Sequence, residues 1–191
     1  MHRTFFFGYG SLMYPSGING RGMRYKYDWK DLAPATLFGY KRDMSARLYT
    51  HNYYGLVPSK NNRANGIVFE IHTEHDLKEL LVNEFAAEVW GHTGRELLYN
   101  VENISAKIEP QFEGKVLVLV SIEDRSGYGK VAESYVRHVY NGIQPWGEKF
   151  VEEFLKTGGL KPKKEKEIVP SYYIMRRFKD LYLRIRNRGW R

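Results

Sequence analysis

Cysteine is absent from this sequence of 191 residues. Its absence excludes disulfides, thiolate metal ligands and a cysteine nucleophile. Long apolar runs are missing as well, since nothing approaches the roughly 18 consecutive apolar residues of a membrane-spanning helix. The apolar run at residues 5–7 is too short for a signal peptide, and Gly-Tyr-Gly follows it instead of a cleavage site. These absences predict a soluble cytoplasmic protein.

Metal and phosphate motifs are also scarce. His72 and His75 are three residues apart but flank a predicted turn, and no His-x-x-x-His pattern occurs, so no metal site is expected. The glycine-rich turn at residues 8–11 is not followed by the Gly-Lys-Ser/Thr of a phosphate-binding loop. Ser11 is followed by Leu-Met and therefore does not fit the Gly-x-Ser-x-Gly pattern of a hydrolase nucleophile.

The positive charge is concentrated at one end of the chain. The net charge is +8, yet residues 160–191 alone hold eleven Lys or Arg and three acidic residues, so residues 1–159 are formally neutral. The favoured interpretation of this tail is a charged linker and an amphipathic helix, docked on the body or on a second copy in a homodimer. The alternative is that its Lys, Arg and aromatic side chains bind nucleic acid or an acidic partner. The apolar stripe of that helix comprises Ile174, Phe178, Leu181 and Ile185.

The pattern of apolar residues predicts an α+β protein. Aromatic residues make up 15% of the chain, which favours strands. Helical spacing follows Thr73, a predicted N-cap, and continues to Val89 before Gly91 ends it. Residues 14–31 are predicted to be a loop, residues 1–159 one domain, and residues 160–191 a linker with a C-terminal helix. Further strands are predicted at 3–9, 33–42, 53–58, 67–71, 97–108 and 115–122, and further helices at 131–141 and 146–156.

Two segments contain candidate functional groups. A buried strand that ends in Gly-Tyr-Gly-Ser-Leu turns sharply, and its main-chain N–H groups can bind an anion or a developing oxyanion. The alternative is an ordinary glycine turn. The second segment is the predicted helix with Glu79, Glu84 and Glu88, where a carboxylate beside apolar residues such as Leu81 and Phe85 suits acid–base catalysis. The alternative is that these acids are solvated.

Four segments in order resemble the γ-glutamylcyclotransferase-like (AIG2-like) superfamily. The strand and turn at residues 5–12 resemble its N-terminal Tyr-Gly-Ser/Thr signature. Gly-Ile-Val-Phe-Glu-Ile at 66–71 resembles its strand of Gly, two hydrophobic residues, an aromatic residue, any residue and Ile. Residues 76–84 resemble the segment in which the catalytic Glu stands four residues after a Leu, here Leu80 and Glu84. Residues 134–142 resemble the Tyr-to-Gly helix that packs beside the site. The resemblance covers residues 3–157. It departs at Leu81 and Phe85, where the family has Asp and Gly, and in the longer stretch from 84 to 99.

The resemblance implies a fold, a reaction and a set of site residues. The fold is a small mixed β-barrel flanked by helices. The reaction is the cyclisation of a γ-glutamyl amine or peptide to 5-oxoproline with release of the free amine, and it needs no cofactor. Glu84 is the implied acid–base residue, with Glu88 as the alternative. The implied substrate-binding residues are Tyr9, Gly10, Ser11, Leu12 and Tyr135. A non-catalytic binding or regulatory protein on the same fold is the competing hypothesis.

Overall fold

The computed structural model describes residues 3–48, 50–86, 98–124, 126 and 129–163. The strands in chain order are Thr4–Gly8 (β1), Leu32–Leu48 (β2), His51–Ile71 (β3), Tyr99–Asn103 (β4), Ile108–Glu109 (β5), Lys115–Ser121 (β6) and Lys130–Val131 (β7). The α-helices are Pro15–Asn19 (α1), Glu74–Asn83 (α2), Glu133–Ile143 (α3) and Glu148–Lys156 (α4), with 3-10 turns at Trp29–Asp31, Ser105–Lys107 and Gln144–Trp146. This order confirms the predicted α+β class.

The strands form one mixed sheet. Its order is β4-β6-β1-β3-β2-β5, and β7 pairs with β3 outside that path. β1 is parallel to β6 and β3 is parallel to β7, whereas the other pairs are antiparallel. The sheet curls into a half-barrel flanked by helices, which confirms the fold predicted from the resemblance.

The core is centred on β1. Phe6 lies between Phe69 of β3 and Leu117 of β6 in the sheet register. The side chains of Phe6 and Phe7 are completely buried because β1 is covered on both faces. A strand buried in this way must be apolar without alternation, and this explains the Phe-Phe-Phe run. The segment that follows β1 is therefore held by a rigid strand.

β2 and β3 form one long hairpin, so the prediction of three short strands in this region was wrong. Residue 58 is Pro and residues 60–63 are polar, and this pattern suggested that the strand is interrupted there. The structure leaves all five residues exposed within β3. Arg63 pairs with Phe38 and Pro58 pairs with Tyr40, so the pairing with β2 resumes on both sides of residues 59–62 after a register shift, and a second shift lies between Asp43 and Ala46. Irregularities of this kind bend a hairpin without ending it.

α2 is shorter than predicted. Its predicted N-cap is confirmed, because the Thr73 side chain accepts a hydrogen bond from the N–H of Asp76. The helix ends at Asn83, although the apolar spacing continues to Val89. Phe85 has a φ of 57°, its N–H donates to Val82, and the N–H of Ala86 donates to Leu81. This is a Schellman motif, which stops a helix with a residue in the left-handed conformation.

Residues 14–31 are not entirely a loop. They contain α1 and the 3-10 turn at Trp29–Asp31, so that prediction was wrong in part. Glu88 and residues 164–191 lie outside the described residues, and so do the predicted tail helix and most of the predicted second unit. Within the described part of the chain, no helix has both the length and the apolar character needed to cross a membrane.

Candidate active site

The turn after β1 has two main-chain N–H groups without a partner in the part of the chain that the structure describes. The N–H of Met13 donates to the carbonyl oxygen of Gly10 at 3.1 Å and closes the turn. Ser11 and Leu12, between them, are each only 6% exposed, and their N–H groups donate to no atom of the described residues. Buried amide groups are nearly always paired. The turn therefore has the donors that a bound anion or oxyanion needs.

The length of α2 brings Glu84 to the level of this turn. Ile71, at the end of β3, pairs with Thr4 at the start of β1, so α2 begins at the opposite end of β1 from the turn. Its ten residues extend about 15 Å. The five residues of β1 extend about 16 Å. The C-cap of α2, which is Glu84, therefore arrives beside the residues that follow β1.

Arg21 connects Glu84 to the turn. Its Nε donates to Oε1 of Glu84, and its Nη2 donates to Oγ of Ser11 at 2.6 Å. The Arg21 and Glu84 side chains are 13% and 16% exposed, so the ion pair is largely shielded from water. A carboxylate at a helix C-terminus faces the negative end of the helix dipole, and the guanidinium offsets that repulsion. The sequence predicted apolar neighbours for Glu84 and gave no indication of this guanidinium.

The main chain around Arg21 is fixed on α2. Nδ2 of Asn83 donates to the carbonyl oxygen of Arg21 at 2.7 Å. Three residues later, the N–H of Arg24 donates to Oδ1 of Asp76 at 2.6 Å, and Asp76 is completely buried. The two contacts fasten this segment at both ends of the helix. Arg21 is therefore positioned by α2, the same element that positions Glu84.

Buried tyrosines form another wall of the site. Burial, followed by the negative charge of Glu84, raises the pKa of Tyr9 well above its usual range, so its hydroxyl stays neutral. The Tyr9 side chain is hydrogen-bonded to that of Tyr99, whose hydroxyl donates to the carbonyl oxygen of Tyr54 at 2.8 Å. Tyr135, in the first turn of α3, approaches Gly10 so closely that a Cβ there would lie 2.7 Å from its hydroxyl.

Arg42 anchors the turn from beneath. It is 2% exposed, and its Nε donates to the carbonyl oxygen of Tyr9 at 2.9 Å. Nη1 donates to Oδ1 of Asn65 at 3.2 Å and to Oγ1 of Thr157 at 3.0 Å, and Nη2 donates to the carbonyl oxygen of Asn65. Burial lowers the pKa of Arg42 to about 10. The guanidinium thus ties the start of the turn to β3 and to the end of α4.

The structure brings Glu84 together with the substrate-binding residues that the resemblance implies. Ser11 and Glu84 meet through Arg21, Gly10 meets Tyr135, and Tyr9 lies within electrostatic range of Glu84. Leu12 is buried in the turn itself. Sequence analysis missed three contributors, which are Arg21, Arg42 and Tyr99. The one available signal was a lone Arg between two glycines at 20–22 in a segment with no apolar period.

The turn is sensitive to one glycine of α1, and this gives a prediction about stability. A Cβ on Gly17 would lie 1.6 Å from the main-chain oxygen of Ser11. We expect Gly17→Ala to lower the free energy of unfolding by about 2 kcal/mol, because the overlap outweighs the better helix propensity of Ala. Urea denaturation measures this, with Ser16→Ala on the exposed face of α1 as the control. A Gly17→Ala protein as stable as wild type would contradict the close approach.

No cluster of three or more His, Cys, Asp or Glu side chains that could hold a metal ion occurs among the described residues. The chemistry available at the site is that of a carboxylate, a guanidinium, a neutral phenol and main-chain N–H donors. These groups suit proton transfer and the binding of a charged polar substrate.

Comparisons with known proteins agree on the fold. No protein-family model matches the chain, and no curated protein matches it in sequence. Among solved structures, YkqA from Bacillus subtilis is similar with a TM-score of 0.61 and 17% identity, over 85% of this chain and 56% of YkqA. A gamma-glutamyl cyclotransferase is similar with a TM-score of 0.60 and 14% identity, over 92% of this chain and 99% of that protein. An uncharacterized protein from Homo sapiens has a TM-score of 0.56 and 15% identity, with 93% and 99% covered.

These likenesses establish the fold. The chain has the γ-glutamylcyclotransferase-like fold, which confirms the resemblance seen in the sequence. It spans about half the length of YkqA and nearly the whole of the gamma-glutamyl cyclotransferase. At these identities the comparison establishes the fold and leaves the activity to be argued from the site.

Proposed function

We propose that this protein cyclises a γ-glutamyl amine or peptide to 5-oxoproline and releases the free amine, with Glu84 as the acid–base residue. One observation carries the proposal. The Arg21 guanidinium contacts both the Glu84 carboxylate at the end of α2 and Ser11 of the buried turn. The main-chain N–H groups of Ser11 and Leu12 in that turn have no partner in the described residues. Intramolecular acyl transfer requires a proton acceptor beside donors for an oxyanion, and this arrangement supports the proposal.

The reaction needs three proton transfers, the formation of one C–N bond and the breaking of another. Glu84 takes a proton from the α-ammonium of the substrate, and the freed amine attacks the γ-carbonyl carbon. A C–N bond forms to give a tetrahedral intermediate with a negative oxygen. The bond from the γ-carbon to the leaving nitrogen then breaks, and the protonated Glu84 gives its proton to that nitrogen. The ring nitrogen still has one proton more than an amide, and this proton passes to the departing amine, which leaves as its ammonium ion. No oxidation occurs, and the carboxylate is restored.

The other residues act on geometry and charge. The amides of Ser11 and Leu12 stabilise the negative oxygen of the intermediate. Tyr9 and Tyr135 enclose the site, and the raised pKa keeps the Tyr9 hydroxyl protonated beside Glu84. Because the attacking amine belongs to the substrate, holding its chain in a folded conformation supplies much of the rate gain.

One observation favours the competing hypothesis of a binding or regulatory protein on this fold. The Glu84 carboxylate already forms an ion pair with the Arg21 guanidinium in the protein without a ligand. Under that hypothesis the ion pair is structural, and the basic tail supplies the partner-binding surface.

A panel of γ-glutamyl donors tests the proposed function. Purified protein is incubated with glutathione, a γ-glutamyl dipeptide, ε-(γ-glutamyl)lysine and a γ-glutamylamine, and 5-oxoproline is measured by mass spectrometry. We expect enzyme-dependent release from at least one donor, above the spontaneous rate measured with heat-inactivated protein. The donor from which 5-oxoproline is released fastest identifies the substrate class. Folded protein that releases nothing from any donor would contradict the proposal and favour a binding protein.

A further inference from the structure

Arg21 and Glu84 present opposite charges side by side. Nε of Arg21 contacts Oε1 of Glu84, and Nη2 extends past it to Ser11. Both side chains are at least four-fifths buried but not sealed, with 13% and 16% of their surface exposed. A ligand that reaches them meets a fixed positive group and a fixed negative group in one place. Such a pair is complementary to a ligand that has a positive and a negative group attached to the same carbon atom.

We propose that Arg21 and Glu84 together bind a zwitterionic α-amino-acid headgroup, with Arg21 binding the α-carboxylate and Glu84 the α-ammonium. The inference rests on the proposed function, since it assigns the substrate-binding role of Arg21 in the same site. The two charged groups of an α-amino acid are attached to one carbon. The α-carboxylate therefore contacts Arg21 while the α-ammonium contacts Glu84. The four charges alternate in sign around a ring, and the ion pair between Arg21 and Glu84 is kept.

The chemistry of the two side chains supports this assignment. A guanidinium has five N–H donors in a planar fork and binds carboxylates in two-pronged fashion, and this is stronger where water is partly excluded. The main chain of Arg21 is held by Asn83, so little ordering is left to the moment of binding. With the carboxylate on Arg21, the amides of Ser11 and Leu12 remain for the oxyanion. The substrate class is thus a γ-glutamyl compound with a free α-amine and a free α-carboxylate.

The binding test uses ligands that cannot cyclise, so that it is independent of turnover. L-Norleucine has the zwitterionic headgroup and no γ-carbonyl, L-norleucinamide lacks the carboxylate, and hexanoate lacks the ammonium. Dissociation constants are measured by NMR titration of wild type, Arg21→Met, Arg21→Lys and Arg24→Met. Arg24 is the matched control, since it lies on the same segment with an exposed side chain. Circular dichroism and thermal unfolding establish that each variant is folded.

We expect wild type and Arg24→Met to bind L-norleucine roughly 10- to 100-fold more tightly than L-norleucinamide. In Arg21→Met that preference should fall to about unity, while Arg21→Lys, which keeps the charge, should retain part of it. A purely structural role would weaken both ligands equally and leave their ratio unchanged, and that result would overturn the inference. So would a wild type that does not distinguish the two ligands.

Turnover separates this inference from the proposed function. If L-norleucine is preferred through Arg21 but no donor releases 5-oxoproline, the headgroup site stands and the cyclisation fails. If wild type releases 5-oxoproline and Arg21→Met keeps the full preference, the cyclisation stands and the assignment of Arg21 fails. With an active wild type, Arg21→Met should raise KM more than it lowers kcat, because the carboxylate contact is made in ground state and transition state alike.

Discussion

Glu84→Gln is expected to lower kcat for 5-oxoproline release by about 10³-fold, because an amide cannot accept and return the proton. The substitution keeps the size of the side chain and an oxygen that still accepts the hydrogen bond from Arg21. The fold should therefore persist. The measurement is kcat at saturating concentrations of the best donor, with circular dichroism and thermal unfolding of the same samples.

Two further variants make this result specific. Glu79→Gln changes a carboxylate on the same helix, five residues before Glu84, and should leave kcat within about two-fold because it contributes no group to the reaction. Glu88→Gln tests the alternative acid named from the sequence. Full activity in Glu84→Gln combined with loss in Glu88→Gln would transfer the acid–base role, and full activity in both would end the mechanism.

Sequence analysis succeeded where a local pattern is sufficient. The buried Phe run predicted β1, the following glycines predicted the turn, and Thr73 predicted the start of α2. These features depend on side-chain burial, on backbone freedom and on one capping hydrogen bond, all of which are encoded by neighbouring residues. The resemblance then added Glu84, and the length of α2 explains why it reaches the turn.

The end of α2 could not be predicted from spacing. Apolar residues continue at helical intervals through Phe85 to Val89, so the pattern favoured a longer helix. Phe85 instead adopts a φ of 57°, which costs a residue with a Cβ about 1 kcal/mol or more. Contacts distant in sequence hold it there, since its carbonyl oxygen accepts from the N–H of Leu98 and Ala86 bridges to Tyr99. Gly, which the resembled family has at this position, would adopt the same φ without strain.

The two arginines of the site could not be predicted from the sequence, because their contacts also join residues that are distant in the chain. Arg21 contacts Glu84 across 63 residues of chain, and Arg42 contacts Tyr9 across 33. Isolated arginines usually lie at the surface, so composition gives no reason to expect either one in a buried network. The topology decides these contacts, because it places the segment after α1 on α2 and places β2 beneath the turn.

Arg42→Met is expected to lower the free energy of unfolding by about 3 kcal/mol, from two opposing effects. The four shortest hydrogen bonds of the guanidinium go to Tyr9, Thr157 and two oxygens of Asn65, and a hydrogen bond from a charged donor contributes about 1.5–3 kcal/mol. Against this, no carboxylate lies within ion-pair distance of Arg42 among the described residues. The burial that lowers its pKa to about 10 corresponds to a cost of about 3 kcal/mol. Even at the low end of their range, the hydrogen bonds outweigh that cost.

Urea denaturation followed by circular dichroism measures the difference, and thermal unfolding should shift downward by roughly 6–12 °C. Lys41→Met is the matched control on the same strand. Its ion pair with Asp43 at 2.8 Å is at the surface, with 40% of the lysine side chain exposed, and should contribute less than about 1 kcal/mol. An Arg42→Met protein as stable as wild type would mean that the cost of burying the charge is the larger effect.

Arg42→Met also tests whether the hydrogen bond from Arg42 to the carbonyl oxygen of Tyr9 holds the turn in place. Arg42 is the donor to the carbonyl oxygen of Tyr9, so Arg42→Met should loosen the turn even at temperatures where the protein remains folded. Activity per folded molecule should then fall as well, because the Ser11 and Leu12 amides lose their fixed position relative to Glu84. Lost stability with unchanged activity would limit Arg42 to joining β3 and α4 and would leave the turn fixed by the Gly10–Met13 hydrogen bond and α1.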